Sequence, residues 1–254
     1  MKEISIEEFI NYKNSDTLVI FGCGPSIKNL SNEDLEILNQ YDTMSFNMFC
    51  KTGIKTKYYI LGEILDTYWR SKNMPDDIID NEHVTKLLQK TGEDPETYFE
   101  LLNKNYKNTK LLVWDTPVML ENFDYINKNL SNEYVLFNRQ GGNGYRGYNH
   151  KKTYNINTLK NRKLLIHRHV GLNACIYIGK CMEYKRIIFC GVDLNNYKYA
   201  FDRSIFREKF IEEEEEKPHR SKKYVFEFIN YLKNDIDFKV YNKDSALTEI
   251  IDTY

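Results

Sequence analysis

The segment Thr17-Leu18-Val19-Ile20-Phe21, running straight into Gly22-Cys23-Gly24-Pro25-Ser26, restricts the chain's possible folds more than any other. Five successive residues, apolar throughout, leave a strand no polar face to turn toward water, so both faces must be covered. The glycines and proline then end the strand in a sharp turn. A strand of this kind belongs to a parallel sheet with helices on either side. Further strand candidates are 43–46, 57–61, 110–114, 134–137, 186–190 and 238–241, alternating with helical patterns. Ser31 is placed to cap a short helix, with Asp34 three residues on and Leu35 and Leu38 on one face. A mostly apolar helix is expected over 170–184, where Gly171, Ala174 and Gly179 allow close packing on a sheet. Another is expected over 222–233, with Val225, Phe228, Ile229 and Leu232 on one stripe. The expected fold is α/β, a mostly parallel Rossmann-like sheet flanked by helices.

Composition narrows the function. The 254 residues carry 36 Lys+Arg against 37 Asp+Glu, a formal net charge of −1, whereas a nucleic-acid binder would show a basic domain. An apolar content of 41% with 29% charged residues is that of a folded globular chain. No repeat or interdomain linker stands out, so residues 1–254 read as a single domain. No apolar run approaches the roughly 18–20 residues that span a bilayer, and the start, Met1-Lys2-Glu3-Ile4, has no signal-peptide core. The five cysteines (Cys23, Cys50, Cys175, Cys181, Cys190) form no metal-type pair and would leave one over if paired, which suits a reducing, cytoplasmic setting. Two segments read as lids: the glycine-rich stretch around 139–155, and 200–220 with its acidic run at 212–216.

Several positions offer chemistry. The turn Gly22, Cys23, Gly24, Pro25, Ser26 lies where open α/β sheets bind ligands and lets backbone approach a phosphate. It lacks the third glycine of a dinucleotide fingerprint and the Lys-Ser/Thr of a P-loop, and a tight strand–helix turn without a ligand is the alternative reading. Asn47 ends the second of these strands, so its amide either meets a ribose hydroxyl or base edge or simply terminates a strand. Gly191-Val192-Asp193 follows another apolar strand, with Asn195, Tyr197 and Tyr199 beyond it. A carboxylate and phenols there can orient a sugar nucleotide or donate to a leaving phosphate, although aromatics at a strand end are more often core. His219 sits before the last long helix and has the side chain best suited to general-base work near neutral pH, although a lone loop histidine is more often incidental. Arg168, between His167 and His169 at a helix entrance, favours an anion. The two histidines have no Cys or carboxylate near in sequence, and Asp235-Ile236-Asp237 is the kind of match that chance supplies in an acid-rich chain, so no metal is assigned.

In order along the chain, these elements resemble bacterial sialyltransferases of glycosyltransferase family 42. The resemblance rests on Val19-Ile20-Phe21-Gly22-Cys23-Gly24-Pro25-Ser26-Ile27-Lys28, on Ser45-Phe46-Asn47-Met48-Phe49, and on the stretch from Arg168 to Asp202 with Gly191-Val192-Asp193-Leu194. It ends with His219-Arg220-Ser221-Lys222 and Asp244-Ser245-Ala246-Leu247. Residues 63–165 show little similarity. The resemblance implies an inverting transferase that takes a nonulosonic acid, sialic acid or a related keto-sugar, from a CMP donor to a glycan acceptor, with no obligatory metal or other cofactor. By the same resemblance His219 is the general base, Tyr199 a hydrogen-bond donor to the departing phosphate, Arg168 an active-site arginine and Asn47 a CMP contact. Gly22, Cys23, Gly24, Pro25, Ser26, Gly191, Asp193 and Asn195 fall on the nucleotide site. The chain departs from the family pattern at Cys23, Asn195, His169-Val170 and Gly62, all around the donor. The expected setting is cytoplasmic, at most peripheral at the inner face of the membrane, in lipopolysaccharide or capsule synthesis, and compatible with a homo-oligomer. Two other readings stay open: a pterin pyrophosphokinase-like enzyme needing ATP and magnesium, and a non-catalytic nucleotide- or glycan-binding module.

Overall fold

A computed structural model describes residues 1–61, 95–115, 117–140, 157, 160, 163–165, 171–195, 200 and 222–254. The expected first strand is β2 (Thr17–Phe21), buried at every position. Before it come β1 (Lys2–Glu3) and α1 (Ile6–Asn11), whose start is held by a capping box between Ser5 and Glu8. After it come α2 (Asn32–Leu38), capped by Ser31 and Asp34 as the sequence predicts, β3 (Asp42–Phe46) and β4 (Tyr58–Leu61). The middle of the chain adds α3 (Pro95–Tyr106), β5 (Lys110–Asp115), α4 (Pro117–Glu121), α5 (Phe123–Asn129) and β6 (Glu133–Gln140). The last part contains β7 (Lys163–Leu165), α6 (Gly171–Cys181), β8 (Arg186–Cys190), α7 (Lys222–Leu232), β9 (Asp237–Val240) and β10 (Asp252–Thr253).

The ten strands of the described residues join one sheet in the order β1-β6-β5-β4-β3-β2-β8-β9-β10, with β7 pairing beside β1 on the outer edge of β6. Every ladder is parallel, so the sheet is more uniform than the mostly parallel one expected. The fold is α/β and Rossmann-like. Alternate residues of each strand feed two cores, which is how a doubly covered strand must divide its side chains. Leu18 and Ile20 of β2 pack in one core with Phe9 of α1, Ile176 and Ile178 of α6, and Phe228 and Leu232 of α7. Val19 and Phe21 pack in the other with Leu38 of α2, Tyr98, Phe99 and Leu102 of α3, and Ile126 of α5.

Helix α6 stops sooner than the apolar pattern, which runs to residue 184. Glu183 takes a left-handed φ of 59°, and the Tyr184 and Glu183 amides donate back to the Gly179 and Lys180 carbonyls. That double back-bond is a Schellman stop, which ends a helix while the apolar residues beyond it continue into the core. Gly179 is needed for contact: a Cβ there would stand 2.8 Å from Ile187 Cδ1 and 3.1 Å from Leu18 Cδ2. Among the described residues no helix is long and apolar enough to cross a membrane.

Candidate functional site

From β2 the sheet is built outward through β3, β4, β5 and β6 on one side, and through β8, β9 and β10 on the other. The direction of winding reverses between β2 and β8. Right-handed crossovers then put the connecting helices on opposite faces: α2, α3 and α5 on one, α7 on the other. Such a reversal marks the point, outside the carboxyl ends of β2 and β8, where ligands of open α/β sheets bind in a crevice. Because all strands are parallel, the ends of β3, β2, β8 and β9 lie along one edge, bringing Asn47, Gly22–Ser26, Gly191–Asn195 and Tyr241–Ser245 beside one another.

The turn after β2 is clamped onto the turn after β8. Gly22 and Gly24 amides donate to the Cys190 and Gly191 carbonyls at 2.8 and 2.7 Å. The Ser26 amide and hydroxyl both donate to the Asp193 carboxylate, at 3.0 and 2.5 Å. Asp193 also accepts from the Asn242 side chain at 3.1 Å, and its carbonyl accepts from the Ala246 amide at 2.8 Å. Ser245 donates its hydroxyl to the Val192 carbonyl at 2.6 Å, and the Asn195 side chain donates to the Asp244 carbonyl. One carboxylate therefore ties together the loops that follow β2, β8 and β9.

Within this clamp the amides of the glycine turn are already engaged. The Gly22, Gly24 and Ser26 N–H groups already have carbonyl or carboxylate acceptors, so they are not bare donors awaiting an anion. The glycines serve the clamp, because a Cβ on Gly22 would lie 2.5 Å from the Gly191 carbonyl oxygen. Gly191 has a left-handed φ of 65°, where glycine alone is free of strain. Asp193 likewise acts as a brace in the described structure, both its oxygens engaged by Ser26 and Asn242. Cys23 sends its side chain into the α2–α3 core, with Sγ 3.9 Å from the Phe46 carbonyl oxygen, while its own carbonyl accepts from the Ala200 amide at 2.8 Å. Pro25 opens the short 3-10 turn Pro25–Asn29.

Two other residues at this edge hold left-handed backbones, Asn47 at φ 55° and Leu194 at φ 57°. Asparagine tolerates that region, whereas leucine is a true outlier there, and such strain collects where neighbours over-determine the chain. Leu194 stands between the braced Asp193 and Asn195. The Asn47 carbonyl accepts from the buried Tyr59 and Tyr98 phenols, while its half-exposed side-chain amide makes no hydrogen bond to a described residue.

His219, Tyr199, Arg168, Tyr197, His167, His169 and Gly62 lie outside the described residues. So do both lid segments, apart from the strand end at 139–140 and Ala200. Asp235 and Asp237 are at the opposite, amino-terminal edge, paired with Lys180 at 2.8 Å and Arg186 at 2.6 Å. No group of three or more metal-ligating side chains occurs among the described residues. Sequence reasoning missed Asn242, which the strand-end logic applied to Asn47 would have found, since it lies just past β9. It also missed Asn173 in the first turn of α6, fully buried with neither amide atom hydrogen-bonded among the described residues. Nothing in a mostly apolar helix signals that a single amide is left unpaired.

No protein-family model matches the chain, and no curated protein does. Among solved structures it is similar to the monofunctional alpha-2,3-sialyltransferase Cst-I from Campylobacter jejuni, at 20% identity and a TM-score of 0.47, over 94% of this chain and 80% of that one. It is also similar to a variant of the sialyltransferase Cst-II in complex with CMP, at 17% identity and a TM-score of 0.46, over 92% of this chain and 84% of that one.

Proposed function

We propose that the protein is an inverting glycosyltransferase moving a nonulosonic acid, sialic acid or a related keto-sugar, from its CMP donor to a glycan acceptor in cell-surface polysaccharide synthesis. One observation carries the reading. Residues assigned to the donor, scattered from Gly22 through Asn47 to Asn195, occupy adjacent strand ends at the point where the sheet's winding reverses.

In this reading Asn47 contacts the cytidine nucleotide, and the braced turns after β2 and β8 form a stiff floor under it. The bond between the sugar's anomeric carbon and the phosphate oxygen breaks as the acceptor oxygen attacks from the opposite side. His219 takes the acceptor's hydroxyl proton, Tyr199 hydrogen-bonds the departing phosphate, and Arg168 holds the donor sugar or the acceptor. Phenol donors aimed at the phosphate supply the charge stabilisation that metal-dependent transferases obtain from a cation. No metal or other cofactor is required, and the protein works in the cytoplasm, at most peripherally at the inner face of the membrane.

The test is a thermal-shift screen of CMP, UDP, GDP and ATP, each with magnesium and with chelator, because a ligand that binds only the folded state raises its melting point. CMP should stabilise equally in both conditions. Stabilisation by ATP that vanishes with chelator would replace this reading with a pyrophosphokinase-like one. In a transfer assay His219→Ala should lose at least about 10²-fold in kcat with CMP affinity unchanged. Unaltered turnover would remove His219 from the mechanism.

A further inference from the structure

Asn47 is the one residue of the crevice whose side-chain amide is half-exposed and unbonded among the described residues while its carbonyl is held by buried groups. A left-handed backbone is disfavoured for an L-residue by about 1–2 kcal/mol, somewhat less for asparagine, so a local arrangement must hold it. Ser45, two residues earlier in β3, is in register with Tyr59 of β4, which sets the Tyr59 ring in the α2–α3 core below the strand end. The Tyr59 hydroxyl donates to the Asn47 carbonyl. The Tyr98 hydroxyl, brought by α3, stands 2.7 Å from the Tyr59 oxygen and 3.4 Å from the same carbonyl. Since Tyr59 spends its only proton on Asn47, Tyr98's single proton is shared between the nearer Tyr59 oxygen and the longer contact to that carbonyl.

Tyr59 is 0% and Tyr98 2% exposed. Burial raises both phenols well above the ordinary tyrosine range, so each stays a protonated donor at any working pH. Hydrogen bonds in series polarise one another, so the second phenol strengthens the first bond. A peptide carbonyl held in this way fixes ψ of Asn47 and, with φ, the direction of its Cα–Cβ bond.

We infer that the Tyr98–Tyr59 relay is a positioning device that aims the Asn47 amide at the nucleotide. This rests on the nucleotide reading of the crevice. The plainer possibility is that two buried phenols merely satisfy each other, and a double-mutant cycle separates the two. CMP affinity is measured by calorimetry for the wild type, Asn47→Ala, Tyr59→Phe, Tyr98→Phe, and the pair Tyr59→Phe with Asn47→Ala. Each single loss should weaken binding, Tyr59→Phe by about tenfold, the worth of one hydrogen bond. The double variant should bind no worse than Asn47→Ala alone, because the relay acts only through that amide. Wild-type affinity in Tyr59→Phe, or losses that simply multiply, would overturn the inference. Should Tyr59→Phe fail to fold, Tyr98→Phe carries the same cycle. A second readout needs no ligand. The Asn47 side-chain amide signal in a ¹⁵N spectrum, assigned by its loss in Asn47→Ala, should be single in the wild type and doubled or broadened in the phenylalanine variants. An unchanged signal counts against the relay. Failure of CMP to bind the wild type strikes the nucleotide reading instead, and the spectrum still decides whether the phenols position Asn47.

Discussion

A methyl group at residue 24 would stand 2.4 Å from Asp193 Oδ2 and 2.8 Å from the Gly191 carbonyl oxygen. Neither contact can be relieved cheaply. The first belongs to a carboxylate held by Ser26 and Asn242, and the second is backbone. Gly24→Ala should therefore destabilise the protein by about 1–3 kcal/mol, the usual cost of overpacking. Urea unfolding should show a lower midpoint with an unchanged m-value, and an unmoved midpoint would mean the clamp yields. At this scale the sequence showed that residues 22–26 turn sharply but not why. The glycines read as an approach for a ligand, whereas the atoms they make room for belong to residues 191–193. A partner more than 160 residues away leaves no local trace.

Among the elements, those with a full turn or several alternations were legible. Helix α2 begins at Ser31 with Asp34 closing the box, as its spacing predicts. The equivalent Ser5–Glu8 box of α1 carries the same signature and went unread beside the stronger β2. Strands β1, β7 and β10, of two or three residues, are too short for periodicity. They exist because a sheet edge offers them carbonyls, and they blunt that edge in return. The β1 edge also has a pH-sensitive tie. Glu133, at the start of β6, accepts from Lys110 at 2.5 Å and from the Tyr12 hydroxyl at 2.9 Å. The Lys110 and Tyr12 hydrogen bonds lower its pKa to about 2. A carboxylate acidified by folding adds stability above its unfolded pKa of about 4.3 and loses it as pH falls toward its folded value. Glu133→Gln should therefore melt below the wild type at pH 7, with the gap closing between about pH 4.5 and 2. A constant gap across that range would deny the ion its role.

Over the whole molecule, protection should follow the sheet's order. The ladders joining β2 to β3 and β8 are buried under helices on both faces, whereas β1, β7 and β10 lie at the margins. Amide exchange should be slowest in β2, β3 and β8 and fastest in the marginal strands, since local opening begins where few buried contacts hold the backbone. Rapid exchange in β2 would contradict its place at the centre. By itself the sequence determined the α/β class, the strands long enough to show an apolar run, and the candidate residues at their ends. Those properties depend on neighbours a few residues apart, which side-chain periodicity records. Only the tertiary structure decided that β8, not β4, lies beside β2. It also decided that the glycine amides are spent on the Cys190 and Gly191 carbonyls and the Asp193 carboxylate on Ser26 and Asn242, and that Asn47 holds its turn against two phenols. The reason is physical: hydrogen-bond partners and strand neighbours are chosen across long sequence distances by packing, and a carboxylate, an amide or a glycine reads the same in the chain whether its partner will be a ligand or another loop.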